Sequence, residues 1–223
     1  MSSWQDRLGG NALYWLARFT SKRSRFQVIG LEHLQAAQAL ERPIIFAAWH
    51  GMTMMLVGFF ANQYDLSRLV LLLPDDWRGE ALVVFANKLG VTPFPINLKG
   101  DASMATARRL AQLVRQIKAG RDAYITPDGP DGPSYVIKSG LTYIAKKANA
   151  TILPVGAYAR RGYRAPRWDR YVMPYPFSKI SVQIGEPMQV EKGEDLTAVN
   201  TTLAHQLHHV TLQAAANYYE QSF

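Results

Sequence analysis

The sequence predicts an α/β fold in which a mostly parallel central sheet is flanked by helices. Short apolar segments alternate along the chain with longer segments of helical periodicity. One of them, residues 44–49, is apolar throughout, as expected for a strand covered on both faces. With 223 residues, 48% of them hydrophobic, the chain can bury a large core. It has no cysteine, which excludes disulfides, thiol catalysis and cysteine-based zinc sites.

Residues 3–20 are predicted to form an amphipathic helix, and a short strand follows at 26–29. The large apolar residues of the helix are Trp4, Leu8, Tyr14, Trp15 and Phe19. Basic residues follow them, a combination typical of helices that lie on anionic membranes. We therefore interpret residues 1–24 as a membrane-associating helix and residues 25–223 as a single α/β domain.

The longest stretch without Asp, Glu, Lys or Arg, residues 43–64, is long enough to span a membrane. A proline opens it, however, and the pair His50-Gly51 interrupts it. A buried strand at 44–49 followed by a buried helix at 52–63 therefore fits this stretch better than a transmembrane helix.

The rest of the chain continues the alternation up to a C-terminal helix. Strands are predicted at 69–73, 91–96, 123–126, 152–158 and 180–184. Helices are predicted at 78–89, 101–119, 139–148 and 195–219. Gly90 and Gly120 end the first two of these helices. Apolar residues three and four positions apart give the last helix one buried face, formed by Leu196, Val199, Leu203, Leu207, Val210 and Ala214.

The net charge of +8 is concentrated in two segments. Residues 1–30 contain five basic residues and one acidic residue, and residues 158–180 contain six basic residues and one acidic residue. Two basic patches on a nearly neutral body suggest a polyanionic partner, either anionic lipid or nucleic acid. Ordinary solubilising charge is the alternative. The chain lacks the interleaved aromatic and basic residues typical of nucleic-acid binders, so lipid is the favoured partner.

Four polar elements directly follow predicted strands. They are His50, Asp75-Asp76, Lys99-Gly100 and the doubled Asp-Gly-Pro sequence at 128–133. Because ligands of open α/β sheets bind at the carboxyl ends of the strands, these elements are predicted to line one edge of the sheet.

His50 is the candidate general base, because histidine exchanges protons near neutral pH. A structural histidine beneath a turn is the alternative. A catalytic histidine is normally oriented by a carboxylate, but the residue five positions on is Met55. We therefore expect the carboxylate to come from elsewhere in the chain, with Asp128 as the first candidate and Asp76 as the second.

The doubled Asp-Gly-Pro sequence predicts a tight, rigid turn, because proline fixes φ and glycine permits positive φ. We expect the N–H groups of Gly129 and Gly132 to point at an anion or an oxyanion. An ordinary turn between a strand and a helix is the alternative.

A cationic site is predicted where Lys99-Gly100 precedes a helix. The first N–H groups of that helix suit a phosphate, with Lys99 and Arg78 as counter-charges. The alternative is that Asp101 simply caps the helix.

Three further histidines, His205, His208 and His209, lie on the last predicted helix. Zinc would need a third ligand and usually a glutamate, whereas the sequence is HQLHH rather than HExxH. We expect these side chains to face solvent and assign no metal.

Several motifs together resemble one known family. They are Ala48-Trp49-His50-Gly51, Lys99-Gly100 before a helix, the block 126–155, Trp168-Asp169, and the Pro-Tyr-Pro-Phe sequence at 174–177. This combination resembles the lysophospholipid acyltransferase-like family, and within it a small bacterial branch formerly labelled a domain of unknown function. The likeness covers about residues 25–190, and the DGPxGP block is its most specific part.

The resemblance implies an acyltransferase with a hydrophobic acyl tunnel and a membrane-facing surface. The histidine at position 50 would take a proton from an acceptor hydroxyl, which attacks the thioester of acyl-CoA or acyl carrier protein. That thioester is a co-substrate, and no other cofactor is implied. Lys99 would help hold the acceptor's phosphate, and the Asp128-Gly129 pair would help form the acceptor site. With Arg78, Gly100 and Asp131 beside them in the sequence-predicted site, the candidate substrate-binding residues are Arg78, Lys99, Gly100, Gly129 and Asp131. The implied location is peripheral, on the cytoplasmic face of the inner membrane, with an anionic lipid surface as partner.

The sequence departs from the family pattern at three positions. Met55 stands where the broad family has aspartate, Asp131 where the branch has arginine, and Arg78 where the branch has aspartate. The alternative function is therefore a catalytically impaired lipid-binding or carrier protein on the same fold.

Overall fold

The computed structural model describes residues 4–97, 104–129 and 131–220. Its strands are β1 (Arg25–Ile29), β2 (Ile44–Ala47), β3 (Leu69–Pro74), β4 (Thr92–Ile96), β5 (Asp122–Ile125), β6 (Thr151–Tyr158), β7 (Gly162–Arg164), β8 (Val172–Pro174) and β9 (Lys179–Ile184). Its helices are α1 (Trp4–Arg23), α2 (Leu31–Ala39), α3 (Thr53–Gln63), α4 (Trp77–Leu89), α5 (Met104–Lys118), α6 (Gly140–Ala148) and α7 (Leu196–Glu220).

Seven of the described strands form the central sheet, in the order β1-β9-β6-β2-β5-β3-β4. All neighbours in it run parallel except β6 and β9, which are antiparallel. Helices flank the sheet, so the predicted α/β class with a mostly parallel sheet is confirmed. The remaining two strands, β7 and β8, form a separate antiparallel pair.

The burial of the two central strands β2 and β6 explains why their sequences are almost entirely apolar. Every residue of β2 is buried, and so is nearly all of β6. The predicted apolar face of α7 covers β6 and β9, and five of its six members are buried. Apolar surface is buried on both sides of the sheet. Each Å² removed from water contributes about 25 cal/mol to the free energy of folding, and this burial is the main stabilising contribution.

Some elements differ from the predictions. Helix α2 and the β7–β8 pair were not predicted. Strand β2 ends at Ala47, and a single 3₁₀ turn, His50–Met52, leads into α3. The predicted start of the fifth helix at Asp101 lies outside the described residues, which resume at Met104.

Among the helices within the described residues, none is both long and apolar enough to cross a membrane.

Asp122 connects three parts of the structure at the amino-terminal end of the sheet. It opens β5, and its fully buried carboxylate accepts from the Ile44 N–H over 2.7 Å and from the Tyr64 hydroxyl over 2.8 Å. Nε of Arg68 lies 3.0 Å from the same carboxylate. Burial and the neighbouring carboxylate raise the pKa of Tyr64 far above its ordinary value, so its hydroxyl stays a donor.

We expect Asp122→Ala to lower the free energy of unfolding by about 3–5 kcal/mol, because it strands a buried N–H, a hydroxyl and a guanidinium. Urea unfolding would measure this loss. Asp195→Ala, which removes an exposed carboxylate that accepts from the Thr197 N–H, is the control and should cost about 1 kcal/mol. Equal losses in the two variants would contradict the role given to Asp122.

Candidate active site

The predicted site lies at the carboxyl ends of β2 and β5. These strands are parallel neighbours, with Ala47 opposite Ile125. His50 and Asp128 each follow their strand by three residues, so they lie at the same edge of the sheet. The His50 N–H donates to Oδ1 of Asp128 over 2.9 Å. The structure thus brings these two predicted residues together where α/β sheets bind ligands.

The imidazole of His50 is paired with Asp169. Nδ1 of His50 lies 2.7 Å from Oδ2 of Asp169. The Asp169 side chain is fully buried, whereas 24% of the His50 side chain is exposed. Because a carboxylate only accepts hydrogen bonds, Nδ1 carries the proton and Nε2 is an acceptor in the neutral ring. A histidine in this state can remove a proton from a ligand.

The loop that carries Asp169 surrounds the base with aromatic rings. The Tyr171 N–H donates to Oδ1 of Asp169 over 3.3 Å, and Nη2 of Arg167 lies 3.4 Å from Oδ2. The rings of Trp168 and Tyr171 both have their centroids 5.5 Å from that of His50. His50 therefore lies against two aromatic side chains and a buried carboxylate that one loop supplies.

The carboxylate that orients the imidazole is corrected from Asp128, or Asp76, to Asp169. Asp76 instead caps α4, where its side chain accepts from the Arg78 N–H over 2.9 Å. Met55, at the position where the resembled family has aspartate, is buried in the core.

Asp128 contacts the backbone of His50 and not its ring. Its other carboxylate oxygen, Oδ2, accepts from the Tyr135 N–H over 3.3 Å. Burial raises the pKa of the Asp128 carboxyl above its ordinary value, and the two N–H donors offset part of that effect. This geometry suits a residue that fixes the backbone beneath the base.

Arg78 is bound by two carboxylates. Its Nη2 lies 2.5 Å from Oδ2 of Asp76, and its Nη1 lies 3.1 Å from Oδ1 of Asp131. The hydrogen bonds to Asp76 raise the pKa of Arg78 above its ordinary value. Arg78 therefore contacts Asp131, which was predicted beside it in the substrate site, and a phosphate would compete with Asp131 for the guanidinium. Lys99 and Gly100, the other half of the predicted phosphate site, lie outside the described residues.

The N–H groups of Gly129 and Gly132 do not point at a ligand. They donate to the carbonyl oxygens of Thr126, over 3.2 Å, and Asp128, over 3.0 Å. The prediction that they form an anion or oxyanion site is therefore wrong, because the turn uses both donors to close itself. Gly129 nevertheless lines the cavity beside His50.

An apolar cavity of about 140 Å³ begins beside His50. A second space of about 40 Å³ adjoins it and shares Thr53, Leu71, Phe85 and Tyr124 in its wall. The lining runs along β3 from Leu73, near the active-site edge, to Leu69 at the start of the strand. The two spaces share these wall residues, and we refer to them together as the apolar channel.

Two polar side chains interrupt this channel. The hydroxyl groups of Thr53 and Tyr124 lie 3.1 Å apart, and Thr53 donates to the His50 carbonyl oxygen over 2.9 Å. Burial raises the pKa of Tyr124 and of Tyr171, so both stay neutral phenols at physiological pH. The part of the wall that the structure describes is otherwise mostly apolar and contains no Asp, Glu, Lys or Arg, which suits a hydrocarbon chain.

The histidines of α7 are exposed as predicted, and one of them packs beside the site. The ring of His208 contacts the rings of Trp49 and Tyr135, with centroid distances of 5.2 and 5.6 Å. His208 therefore lies on the solvent side of Trp49, the residue before His50.

One of the comparisons with known proteins bears on the architecture, the one with a solved structure. No protein-family model matches the sequence. A relative named "Uncharacterized protein RP090", from Rickettsia prowazekii (strain Madrid E), is 29% identical over 177 residues, which make up 79% of this chain and 78% of the relative. The crystal structure of the 1-acyl-sn-glycerophosphate (LPA) acyltransferase PlsC from Thermotoga maritima is similar with a TM-score of 0.58. That similarity covers 98% of this chain and 85% of the acyltransferase, at 16% sequence identity, and it shows a shared fold.

Proposed function

We propose that the protein is an acyltransferase that moves a fatty acyl group from acyl-CoA or acyl carrier protein to the hydroxyl of a lysophospholipid or a related phosphate-bearing lipid. The observation that carries the proposal is the His50–Asp169 pair at the mouth of an apolar channel. A general base and a hydrocarbon site are the two parts that acyl transfer to a lipid hydroxyl needs.

The proposed reaction needs only this base and the two substrates. Nε2 of His50 takes the acceptor's hydroxyl proton while the oxygen attacks the carbonyl carbon of the thioester. The tetrahedral intermediate then collapses, the C–S bond breaks, and the imidazolium returns its proton to the leaving thiolate. Asp169 holds the ring and stabilises the imidazolium between the two proton transfers. The acyl chain occupies the channel along β3.

The acceptor's phosphate is proposed to bind Lys99 and Gly100, which precede α5 in the sequence. Arg78 contributes only if the phosphate displaces Asp131 from it. Because Asp131 competes with the phosphate for Arg78, we expect the acceptor's headgroup to be bound weakly.

The test is acyl transfer from labelled acyl-CoA and labelled acyl carrier protein to a panel of lysophospholipids. We expect an esterified lipid product together with one equivalent of free thiol. Binding of acyl thioester or lysolipid without turnover would favour the alternative, a lipid-binding protein on the same fold.

A membrane surface is proposed on the outer side of α1. The helix packs on α3 and α4 through small residues, with Gly10, Ala17 and Thr20 buried. Leu13 and Tyr14 are half-buried against the same side, but most of its large apolar residues are exposed: Trp4, Leu8, Trp15, Leu16 and Phe19. A soluble helix normally shows the opposite arrangement.

A second exposed aromatic group adjoins this surface. Tyr163, Tyr175 and Phe177 are exposed around the β7–β8 pair. The Arg23 guanidinium lies over the rings of both Phe19 and Phe177, at 5.6 and 5.7 Å. The two basic segments of the sequence thus meet at one aromatic surface, which supports peripheral binding to anionic lipid.

We expect Trp15→Ser with Phe19→Ser to lower binding to anionic liposomes by about 10-fold or more, since a tenfold change needs only about 1.4 kcal/mol. Cosedimentation with phosphatidylglycerol vesicles measures this change, and thermal unfolding shows whether the fold is intact. The control is Leu212→Ser, which removes an exposed apolar residue of α7. Equal binding by the double variant and the control would contradict this surface.

A further inference from the structure

The described residues of the doubled Asp-Gly-Pro segment, 128–129 and 131–133, call for another role, because the glycine N–H groups are already bonded within the turn. The segment lies between the two members of the catalytic pair. On one side it contacts His50, and on the other it contacts Trp168, the residue before Asp169.

The contact with His50 is made by the first Asp-Gly unit. Oδ1 of Asp128 accepts from the His50 N–H over 2.9 Å. A Cβ atom on Gly129 would lie 2.9 Å from Cδ2 of the His50 ring. Only glycine therefore lets this turn pack directly against the base.

The contact with Trp168 is made by the second unit and the residues after it. A Cβ atom on Gly132 would lie 2.6 Å from Cε3 of the Trp168 indole. The Ser134 hydroxyl donates to the Trp168 carbonyl oxygen. The indole in turn lies against the His50 ring, with 5.5 Å between centroids.

The segment is tied to the rest of the fold by its second aspartate. Asp131 forms an ion pair with Arg78 at the start of α4, over 3.1 Å. The two Asp-Gly-Pro units therefore have different contacts. The first unit binds the backbone of His50 through Asp128. The second unit packs on Trp168, in the loop that carries Asp169, and Asp131 of this unit is ion-paired with Arg78 of α4.

We propose that the doubled Asp-Gly-Pro segment is a clamp that sets the His50–Asp169 distance, and that Gly132 and Ser134 are positioning residues for Asp169. This proposal rests on the proposed function only for its kinetic readout. A displacement of reacting groups by about 1 Å can cost about 100-fold in rate, so a side chain at position 132 has a large expected effect.

The test is Gly132→Ala in the full chain, with two readouts. The first is the NMR resonance of the His50 Nδ1 proton, which is sensitive to the 2.7 Å contact with Asp169. The second is kcat and KM for acyl transfer. We expect the resonance to shift or broaden and kcat to fall about 10- to 100-fold, with KM for the acyl thioester nearly unchanged.

The matched control is Gly120→Ala. Gly120 has φ of +93°, close to the +73° of Gly132, but a Cβ atom there would meet nothing within 4 Å. Both variants place alanine at a positive φ, which costs a similar amount of free energy. Only in Gly132→Ala does the new Cβ atom clash with Trp168. We expect Gly120→Ala to keep the wild-type resonance and kcat. Trp168→Phe added to Gly132→Ala replaces the indole, whose Cε3 is the atom nearest the added Cβ, with a smaller ring and should restore part of kcat.

Ser134→Ala covers the outcome in which Gly132→Ala fails to fold, because it deletes a hydrogen bond without a clash. It should shift the same resonance and lower kcat several-fold. Unchanged resonance in both variants, or equal effects of Gly132→Ala and Gly120→Ala, would overturn the clamp. A wild-type protein without acyl transfer would refute the proposed function instead, and the resonance would still decide the clamp.

Discussion

His50→Ala is expected to lower the rate of acyl transfer by about 10²–10⁴, the usual loss when a general base is removed. The ring is part-exposed, borders the apolar channel, and is the histidine that Asp169 holds. Alanine leaves the acceptor hydroxyl without a proton acceptor. Because the His50 backbone keeps its hydrogen bond to Asp128, the fold should survive the change.

The measurement is thiol release and lipid product at saturating concentrations of both substrates, beside thermal unfolding. His209→Ala is the matched control, since it removes an exposed imidazole from α7. It should keep full activity. Turnover within about threefold of wild type in His50→Ala would show that another group is the base.

The alternation of strands and helices could be predicted because most residues of the buried strands are apolar on both faces. Helix α2 could not be predicted, because its N-cap residue, Gly30, has no side chain to cap it and the helix has only nine residues. Helices that short depend on tertiary packing and not on propensity. The strands β7 and β8 have three residues each, too few to show alternation.

The position of His50 was predictable for the same reason that ligand sites recur in this fold class: the residue follows a strand that ends at the sheet edge. The doubled Asp-Gly-Pro sequence was correctly placed beside it. Its chemistry was misjudged, because composition cannot show that Gly129 and Gly132 use their N–H groups within the turn. Only the closed backbone geometry reveals that.

Asp169 was missed as the partner of the base. It lies 119 residues from His50, in a loop without regular structure, so no spacing rule connects the two. The one available signal was the Trp168-Asp169 pair among the motifs of the resembled family. Buried carboxylates are rare unless they are paired, but the burial of Asp169 shows only in the structure.

Asp169→Asn is expected to lower kcat by about 10²–10⁴ with little change in KM. The amide keeps the shape of the side chain, but it no longer holds the imidazole with a full negative charge and can favour the wrong tautomer. Protein stability should change little by comparison, because the Tyr171 N–H can still donate to the amide oxygen. Steady-state kinetics of acyl transfer give kcat and KM, and urea unfolding gives the change in stability.

Asp128→Asn is the comparison that decides which carboxylate serves the base. Burial already raises the pKa of Asp128, so losing its charge relieves part of a desolvation cost. The amide oxygen can still accept from the His50 N–H, while the contact with the Tyr135 N–H is lost. We therefore expect a smaller fall in kcat than in Asp169→Asn and a stability change of about 1 kcal/mol. If Asp128→Asn were the more damaging of the two, the orienting carboxylate would be Asp128, and the 2.7 Å contact between His50 and Asp169 would be structural.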